Sequence, residues 1–354
     1  MMKTLTNKAE FIVDKEKKPY IIAEIGVNHE GLIEKAKELI DLAKEGGAHA
    51  AKFQSYKAST LASKNSPSYW DTKKEPTTSQ YELFKKYDSF NVKDYEILSE
   101  YCKDKSIDFL STPFDDQSID FLNPIVPFFK IASADITNIP FLKKIANKNK
   151  PIIISTGAST LSEVEIALNA IKQINNSNPA IMHCILSYPT LDKDANLSMI
   201  SSLKKLFPDN VIGYSDHTVP DDNMTTLISS YLLGAFVIEK HFTDNKNLPG
   251  NDHYHAMDVH DLKNLNKILS KVNSLMGIED HKKPVACEFI SRKNARRSIV
   301  LKNALSKGEI IKEENITYKR PGTGISPLHW DEVIGKTLNL DLSADHILDW
   351  SDLI

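Results

Sequence analysis

Two neighbouring stretches, VIGYSDHT at Val211–Thr218 and AFVIEKHF at Ala235–Phe242, decide the fold of this chain. Each begins as a short apolar strand and ends in polar residues that β-strands tolerate poorly. His217 ends the first strand-like run, and His241 lies near the end of the second. Two histidines at the ends of two consecutive strands predict a shared site.

Strand-like apolar runs of the same kind alternate with helical segments over about 250 residues, the usual length of a (β/α)8 barrel. The predicted strands are Tyr20–Gly26, Ala50–Gln54, Ile107–Phe114, Phe128–Asp135, Pro151–Gly157, Ala180–Leu186, Val211–His217 and Ala235–Phe242. Near-continuous apolar runs are typical of parallel strands that are covered on both faces. The pattern therefore predicts an α/β protein with a TIM barrel. The alternative is a doubly wound open sheet, which is disfavoured because no strand opens a G-x-G-x-x-G turn.

The character of the sequence changes after Gly277, where a polar connection leads into short β-like pieces. KRPGTG at Lys319–Gly324 is one of the turns that separate these pieces. We predict a catalytic barrel at residues 1–280, a linker at 281–292 and a small, mostly β domain at 293–354.

Composition excludes several classes of protein. The 354 residues carry a net charge of -3, which indicates neither a nucleic-acid partner nor an anionic membrane surface. The N-terminus is polar and no run of eighteen apolar residues occurs, so we expect no signal peptide and no membrane span. Three widely spaced cysteines, Cys102, Cys184 and Cys287, predict reduced thiols with packing roles and a cytoplasmic location.

Every predicted strand carries polar residues at or just after its end, where a barrel has its active site. In chain order these are Glu24, Lys52, Gln54, Thr112, Lys130, Ser133, Ser155, Tyr188, Ser215, His217, Glu239 and His241. Side chains two apart share one face of a strand, as Ser215 and His217 do. Lys130 and Ser133 cannot share a face in a regular strand, so one of them must lie beyond the strand end.

Two lysines and several hydroxyls in a barrel mouth predict an anionic ligand, because a phosphate or carboxylate accepts charge-assisted hydrogen bonds. The alternative is a structural ion pair such as Lys52 with Glu24. His217 and His241 predict a divalent metal with open positions, and the alternative for each is a hydrogen-bonded core histidine. On the loop PGNDHYHAMD, Asp252, His253 and His255 are either substrate contacts or solvated loop residues.

Several motifs together resemble the sialic acid synthase family in order and spacing. They are AEIGVNHEG (Ala23–Gly31), AAKFQ (Ala50–Gln54), STPFD (Ser111–Asp115), FKIAS (Phe129–Ser133), STGAS (Ser155–Ser159), SYPT (Ser187–Thr190), GYSDHT (Gly213–Thr218) and EKHFT (Glu239–Thr243). KRPGTGI at Lys319–Ile325 resembles the family's C-terminal antifreeze-like (SAF) domain. The resemblance implies condensation of phosphoenolpyruvate with an N-acylated amino-sugar aldehyde, which gives a nine-carbon 2-keto acid, a nonulosonate.

The resemblance also implies roles for individual residues. Phosphoenolpyruvate contacts are expected from Lys52, Thr112, Lys130, Ser133, Ser155 and Ser215. His217 and His241 are the expected ligands of a divalent metal, with Mn²⁺ expected first and Mg²⁺, Co²⁺ or Zn²⁺ as alternatives. Glu24 and Glu239 are the expected catalytic acids. Sugar contacts are expected from Gln54, Tyr188, Asp252 and Arg320, the last reaching from the partner subunit of a domain-swapped homodimer.

The chain departs from the family pattern at positions that concern the sugar. Leu186 stands where N-acetylneuraminate synthases have an asparagine, and Asp135 replaces a usual glutamate. The acceptor therefore stays open between N-acetylmannosamine and a diacetamido-trideoxyhexose. Two rival functions are a synthase of eight-carbon keto-sugar acids, which lacks the KRPGTG domain, and a non-catalytic sugar- or ice-binding protein.

Overall fold

The computed structural model describes residues 18–70, 72–250, 252–277 and 281–354. The predicted polar lead-in at 1–17 lies outside these ranges. The chain divides into two compact units between Gly277 and Ile278. None of the helices within the described ranges combines the length and the apolar character that a membrane span requires.

The first unit is built on eight parallel strands. They are β1 (Tyr20–Gly26), β2 (Ala50–Ser55), β3 (Asp108–Pro113), β4 (Phe129–Ile131), β5 (Ile152–Ser155), β6 (Ala180–Cys184), β7 (Ile212–Asp216) and β8 (Val237–His241). Their order around the sheet is β3-β2-β1-β8-β7-β6-β5-β4, and the two end strands β3 and β4 also lie side by side. The predicted barrel is confirmed and the open-sheet alternative is wrong, because β1 lies between β2 and β8.

Helices alternate with the strands and cover the barrel. They are α1 (Ile33–Gly46), α2 (Ala58–Leu61), α3 (Gln80–Tyr87), α4 (Val92–Asp104), α5 (Asp116–Leu122), α6 (Ile139–Ala146), α7 (Leu161–Asn175), α8 (Ser198–Leu206), α9 (Thr225–Leu232) and α10 (Val259–Met276). In α1 the buried residues Ala36, Leu39, Ile40 and Ala43 recur at helical spacing and form one apolar face. That face belongs to the core between the strands and the helices.

A second, smaller apolar cluster fills the barrel interior. Nearly every strand contributes one or two residues, and β4 contributes through Phe128, the residue just before it. The cluster consists of Ile22, Ala50, Leu110, Phe128, Ile153, Ala180, Met182 and Val237. Most of these lie at or before the middle of their strands, so the interior is closed toward the amino ends of the strands. The polar residues at the carboxyl ends are left to line an open mouth.

Strand β4 is shorter than predicted and ends at Ile131. Ser133 begins a 3-10 turn, Ser133–Asp135, that follows the strand. The spacing predicted that either Lys130 or Ser133 lies beyond the strand end, and this turn shows that it is Ser133.

The second unit contains two antiparallel strands, β9 (Ser298–Leu301) and β10 (Ile316–Lys319), and two short helices, α11 (Phe289–Ala295) and α12 (Trp330–Val333). Its own core includes Ile299, Leu301, Ile316 and Leu348. Helix α11 begins inside the segment predicted as a linker, and Cys287 just before it is exposed. The packing role predicted for Cys287 is therefore wrong, whereas Cys102 and Cys184 are buried.

Candidate active site

A cavity of about 480 Å³ opens at the carboxyl ends of the barrel strands. The predicted site residues that line it are Glu24, Lys52, Gln54, Thr112, Ser133, Ser155, Tyr188, Ser215, His217, Glu239, His241 and Asp252. They come from strands all around the barrel. Every second side chain of a strand points into the barrel, so each strand contributes residues near its carboxyl end. A cavity of this size fits a small ligand pair.

Four buried charged residues form one cluster, and three of them line the cavity. Lys52 Nζ lies 2.6 Å from Glu24 Oε2 and 3.7 Å from Glu239 Oε2. Lys130 does not line the cavity, but its Nζ lies 3.3 Å from Glu239 Oε1. The ion pair that was the alternative to an anion site is thus present in this structure. Two lysines and two glutamates balance each other, so an arriving anion finds cations already positioned.

The two glutamates differ in their protonation. Burial, together with repulsion from Glu239, raises the pKa of Glu24 to about 7, although Lys52 opposes this rise. Burial would also raise the pKa of Glu239, but Lys130 and Lys52 outweigh it and hold that pKa at about 2. A pair of carboxyl groups whose environments separate their pKa values is typical of acid–base sites. Glu24 is therefore the group able to exchange a proton near neutral pH.

The hydroxyl groups of the cavity differ in their hydrogen bonds. Ser215 Oγ donates to Glu239 Oε1 over 3.0 Å, and Thr112 Oγ1 accepts from Lys52 Nζ over 3.0 Å. Ser133 Oγ accepts from the Gly157 amide over 2.9 Å. Ser155 Oγ is buried and has no hydrogen-bond partner among the described residues. A buried hydroxyl without a partner costs free energy, which a bound ligand oxygen would recover.

The two predicted metal ligands lie next to each other, with ring centres 5.6 Å apart. His217 Nδ1 lies 2.7 Å from the Ile185 carbonyl oxygen. Because a carbonyl only accepts, Nδ1 donates and the lone pair of His217 is on Nε2. His241 Nδ1 is buried and has no hydrogen-bond partner among the described residues. Burial, with Lys52 nearby, lowers the pKa of His241 to about 3, so this imidazole is neutral.

A third histidine joins this group. One ligand atom each from His241, Asp252 and His255 lies within 4.8 Å of the other two. His241 Nδ1 is 3.8 Å from Asp252 Oδ2. Imidazole nitrogens and a carboxylate oxygen suit a divalent transition metal, so the residues present fit such an ion. The hydrogen-bonded core role, which was the alternative for His241, does not agree with its unsatisfied Nδ1.

Part of the cavity wall was not predicted from the sequence. The segment between β2 and α4 supplies the aromatic side chains Tyr56, Tyr69, Trp70, Phe84 and Tyr87. The density of tyrosine, phenylalanine and tryptophan there was the available signal. Cys184, expected only to pack, also lines the cavity, and its Sγ is 3.9 Å from His217 Nδ1. Arg320 follows β10 in the second unit and is exposed, so its contribution to a partner's cavity stays a prediction.

Comparison with known proteins identifies the family. Residues 39–281 match the NeuB family and residues 296–354 match the SAF domain. The N,N'-diacetyllegionaminic acid synthase of Legionella pneumophila is 40% identical over 341 residues, covering 94% of each chain. The Campylobacter jejuni enzyme of the same name is also 40% identical, covering 94% of this chain and 99% of its own. The crystal structure of N-acetylneuraminic acid synthetase from Leptospira borgpetersenii superposes with a TM-score of 0.69 at 33% identity, over 78% of this chain and 90% of that one. The resemblance seen in the motifs is confirmed: the chain belongs to the NeuB family and ends in a SAF domain.

Proposed function

We propose that this chain is a nonulosonic acid synthase that condenses phosphoenolpyruvate with a diacetamido-trideoxyhexose, as in the formation of N,N'-diacetyllegionaminic acid. The single observation that carries the proposal is the juxtaposition of two buried lysines, two glutamates and a histidine pair in one barrel mouth. A carbon–carbon bond forms between C3 of phosphoenolpyruvate and the aldehyde carbon. Water adds at C2, and the C2–O bond to the phosphate then breaks.

The lysine side of the cavity is the proposed phosphoenolpyruvate site. Lys52 and Lys130 balance the anion, and Ser155 Oγ gains the partner that it lacks in this structure. Ser133, Ser215 and Thr112 complete the set as hydroxyl groups around the same space. Charge-assisted hydrogen bonds of this kind are short and directional, so they orient the carboxylate and phosphate.

The glutamates take different proposed roles. Glu24, with a pKa of about 7, gives or accepts the proton that accompanies water addition at C2. Glu239 stays ionised, holds both lysines in place and accepts the hydrogen bond from Ser215. Gln54 Nε2 donates to Glu24 Oε1 over 2.9 Å and orients that carboxyl group.

The histidine side is the proposed site of the sugar aldehyde. His217 and His241 would hold a divalent ion, for which we propose Mn²⁺, as neutral imidazoles. When bound, such an ion polarises the aldehyde oxygen and stabilises the charge that develops there. Tyr188 lines the cavity and packs against His217 with ring centres 4.2 Å apart, so it is placed to contact a sugar bound there.

The choice of sugar is supported by the cavity wall. Leu186 lines the cavity at the position where an asparagine would offer two hydrogen bonds to a hydroxylated sugar. A leucine there favours a deoxy, methyl-bearing acceptor because an unpaired sugar hydroxyl would be costly to bury. The two synthases that are 40% identical are named for a diacetylated product.

The test is phosphate release from phosphoenolpyruvate with 2,4-diacetamido-2,4,6-trideoxymannose, N-acetylmannosamine or arabinose 5-phosphate. We expect release with the diacetamido sugar that EDTA abolishes and Mn²⁺ restores. With oxygen-18 in the bridging position of phosphoenolpyruvate, the label should leave with phosphate. Release only with the phosphorylated pentose, or label retained in the keto acid, would contradict the proposal.

We also propose that two chains form a domain-swapped homodimer in which Arg320 of each reaches the other's barrel. Mixed dimers test this, because in a swapped dimer of one Arg320→Ala chain and one His241→Ala chain both substitutions fall in the same active site and leave the other site intact. After unfolding and refolding together, an equimolar mixture should regain about a quarter of the wild-type activity. A mixture as inactive as its two components would show that Arg320 does not act across subunits.

A further inference from the structure

We propose that His255 is a third imidazole ligand of the divalent metal, so that this chain holds its ion with His217, His241, His255 and the Asp252 carboxylate. The inference deepens the proposed function and rests on it for the identity of the site. It assigns to the loop after β8 a role in binding the metal as well as in contacting the sugar.

The path of the loop after β8 places His255 beside His241. The Met257 amide donates to the His241 carbonyl over 2.8 Å, and the Thr243 amide donates to the Met257 carbonyl over 3.0 Å. These bonds form an isolated parallel β-bridge between Phe242 and Met257, so the loop runs beside the end of β8. His255, two residues before Met257, is therefore carried back to the strand end that bears His241.

Other contacts fix the same loop. Tyr254 Oη donates to the Tyr188 carbonyl over 2.9 Å, and His253 Nδ1 lies 2.8 Å from Thr243 Oγ1. Asn28, from the loop after β1, donates to the Phe242 carbonyl over 3.0 Å and to the Asp252 carbonyl over 3.4 Å. A loop held at this many points presents its side chains in fixed positions, which a metal site requires.

The spacing of His241 to each of the other two histidines suits one ion. With metal–nitrogen bonds of about 2.1 Å, three imidazoles on one ion have ring centres roughly 5 to 6 Å apart. The separations of 4.9 Å for His241 and His255 and 5.6 Å for His217 and His241 agree with this spacing, whereas His217 and His255, at 6.3 Å, lie slightly farther apart. Asp252 adds a carboxylate whose Oδ2 is 3.8 Å from His241 Nδ1.

A sugar contact does not account for His255. Its side chain is fully buried. Asp252 and His253 on the same loop line the cavity, whereas His255 does not. Its ring packs against that of His241 with centres 4.9 Å apart, which places it beside an ion bound to His241. A site with three imidazoles and one carboxylate should prefer Mn²⁺, Co²⁺ or Zn²⁺ to Mg²⁺, which takes mainly oxygen ligands.

The first experiment counts imidazoles in the wild-type protein without any substitution. Metal-free full-length protein is loaded with one equivalent of Zn²⁺, and X-ray absorption at the zinc edge measures the number of imidazole ligands. We expect three. A count of two would overturn the assignment of His255.

The second experiment measures Mn²⁺ affinity by the electron paramagnetic resonance signal of the free ion. His255→Gln should weaken binding by about 10- to 100-fold, and His260→Gln, an exposed histidine on α10, should leave it unchanged. Thermal melting checks that both variants are folded. A folded His255→Gln variant with wild-type Mn²⁺ affinity would also overturn the inference.

Phosphate release by the wild-type protein separates the two proposals. If the wild type is active with the diacetamido sugar but shows two imidazoles, the function stands and the role of His255 fails. If three imidazoles are found without any phosphate release, the metal site stands and the proposed reaction fails.

Discussion

Lys240 Nζ lies 2.5 Å from Asp216 Oδ2, and these residues immediately precede His241 and His217. Both side chains are almost fully buried. Since side chains alternate along a strand, this ion pair lies on the face of β7 and β8 opposite to the histidines. Asp216 and Lys240 lie opposite each other in the pairing of β7 with β8. Their ion pair therefore stabilises the strand register that brings His217 next to His241.

Breaking this ion pair should cost more stability than breaking an exposed one. Lys240→Met leaves the Asp216 carboxylate buried without its counter-charge, and we expect the free energy of unfolding to fall by about 3–5 kcal/mol. Chemical denaturation measures this change. As a control, Lys263→Met removes an exposed partner of Glu45 and should cost less than about 1 kcal/mol. The double variant Asp216→Asn with Lys240→Met should recover part of the stability lost in Lys240→Met. Equal losses of stability in Lys240→Met and Lys263→Met would contradict this account.

Substitution of two cavity serines by alanine should affect different properties. Ser133→Ala should lower stability, and Ser155→Ala should weaken the binding of phosphoenolpyruvate. Ser133→Ala leaves the Gly157 amide without its acceptor and should lower the free energy of unfolding by about 1–3 kcal/mol. Ser155→Ala removes no hydrogen bond among the described residues, so stability should stay within about 0.5 kcal/mol. The loss of a bond to a charged ligand should instead raise the KM for phosphoenolpyruvate about tenfold or more. An unchanged KM in Ser155→Ala would remove this serine from the phosphoenolpyruvate site.

Asp135 should make stability depend on pH. Burial raises the pKa of its carboxyl group from 3.8 to about 6, although Asn138 opposes the rise. Between these values the folded protein binds more protons than the unfolded chain, so the contribution of Asp135 to stability falls as pH rises through about 6. Asp135→Asn should therefore stabilise the protein by about 1–3 kcal/mol at pH 7.5. The gain should shrink at pH 5, and melting temperatures at both pH values measure it. An equal gain at pH 5 would show that the carboxyl group is not the cause.

Leu186 should control the choice of acceptor. Leu186→Asn introduces the amide that the family resemblance leads us to expect at this position in a synthase that uses N-acetylmannosamine. We expect the ratio of kcat/KM for N-acetylmannosamine to that for the diacetamido sugar to rise about tenfold, the effect of one good hydrogen bond. Leu186→Met, which keeps the apolar character, is the matched control. A ratio that moves equally in both variants would indicate lost packing rather than recognition of a hydroxyl group.

Much of the site could be predicted because the information is local. The spacing of Lys52 and Gln54, or of Glu239 and His241, puts each pair on one face of a strand wherever that strand lies. The apolar character of eight such strands then predicts a barrel, whose geometry brings all strand ends together. The spacing of Lys130 and Ser133 also predicted that one of the two lies beyond β4, and the structure shows that this residue is Ser133.

What only the tertiary structure decided is how those residues combine. The pairing of Lys52 with Glu24 depends on the register of the neighbouring strands β1 and β2, and that of Lys130 with Glu239 on a distance across the barrel, neither of which a local pattern contains. The position of His255 depends on backbone hydrogen bonds between Met257 and the end of β8, which return the loop to the site. Alternation along a strand is a property of the chain itself. The path of a loop is set by contacts between residues far apart in sequence, and so the position of His255 beside His241 could be recognised only in the folded protein.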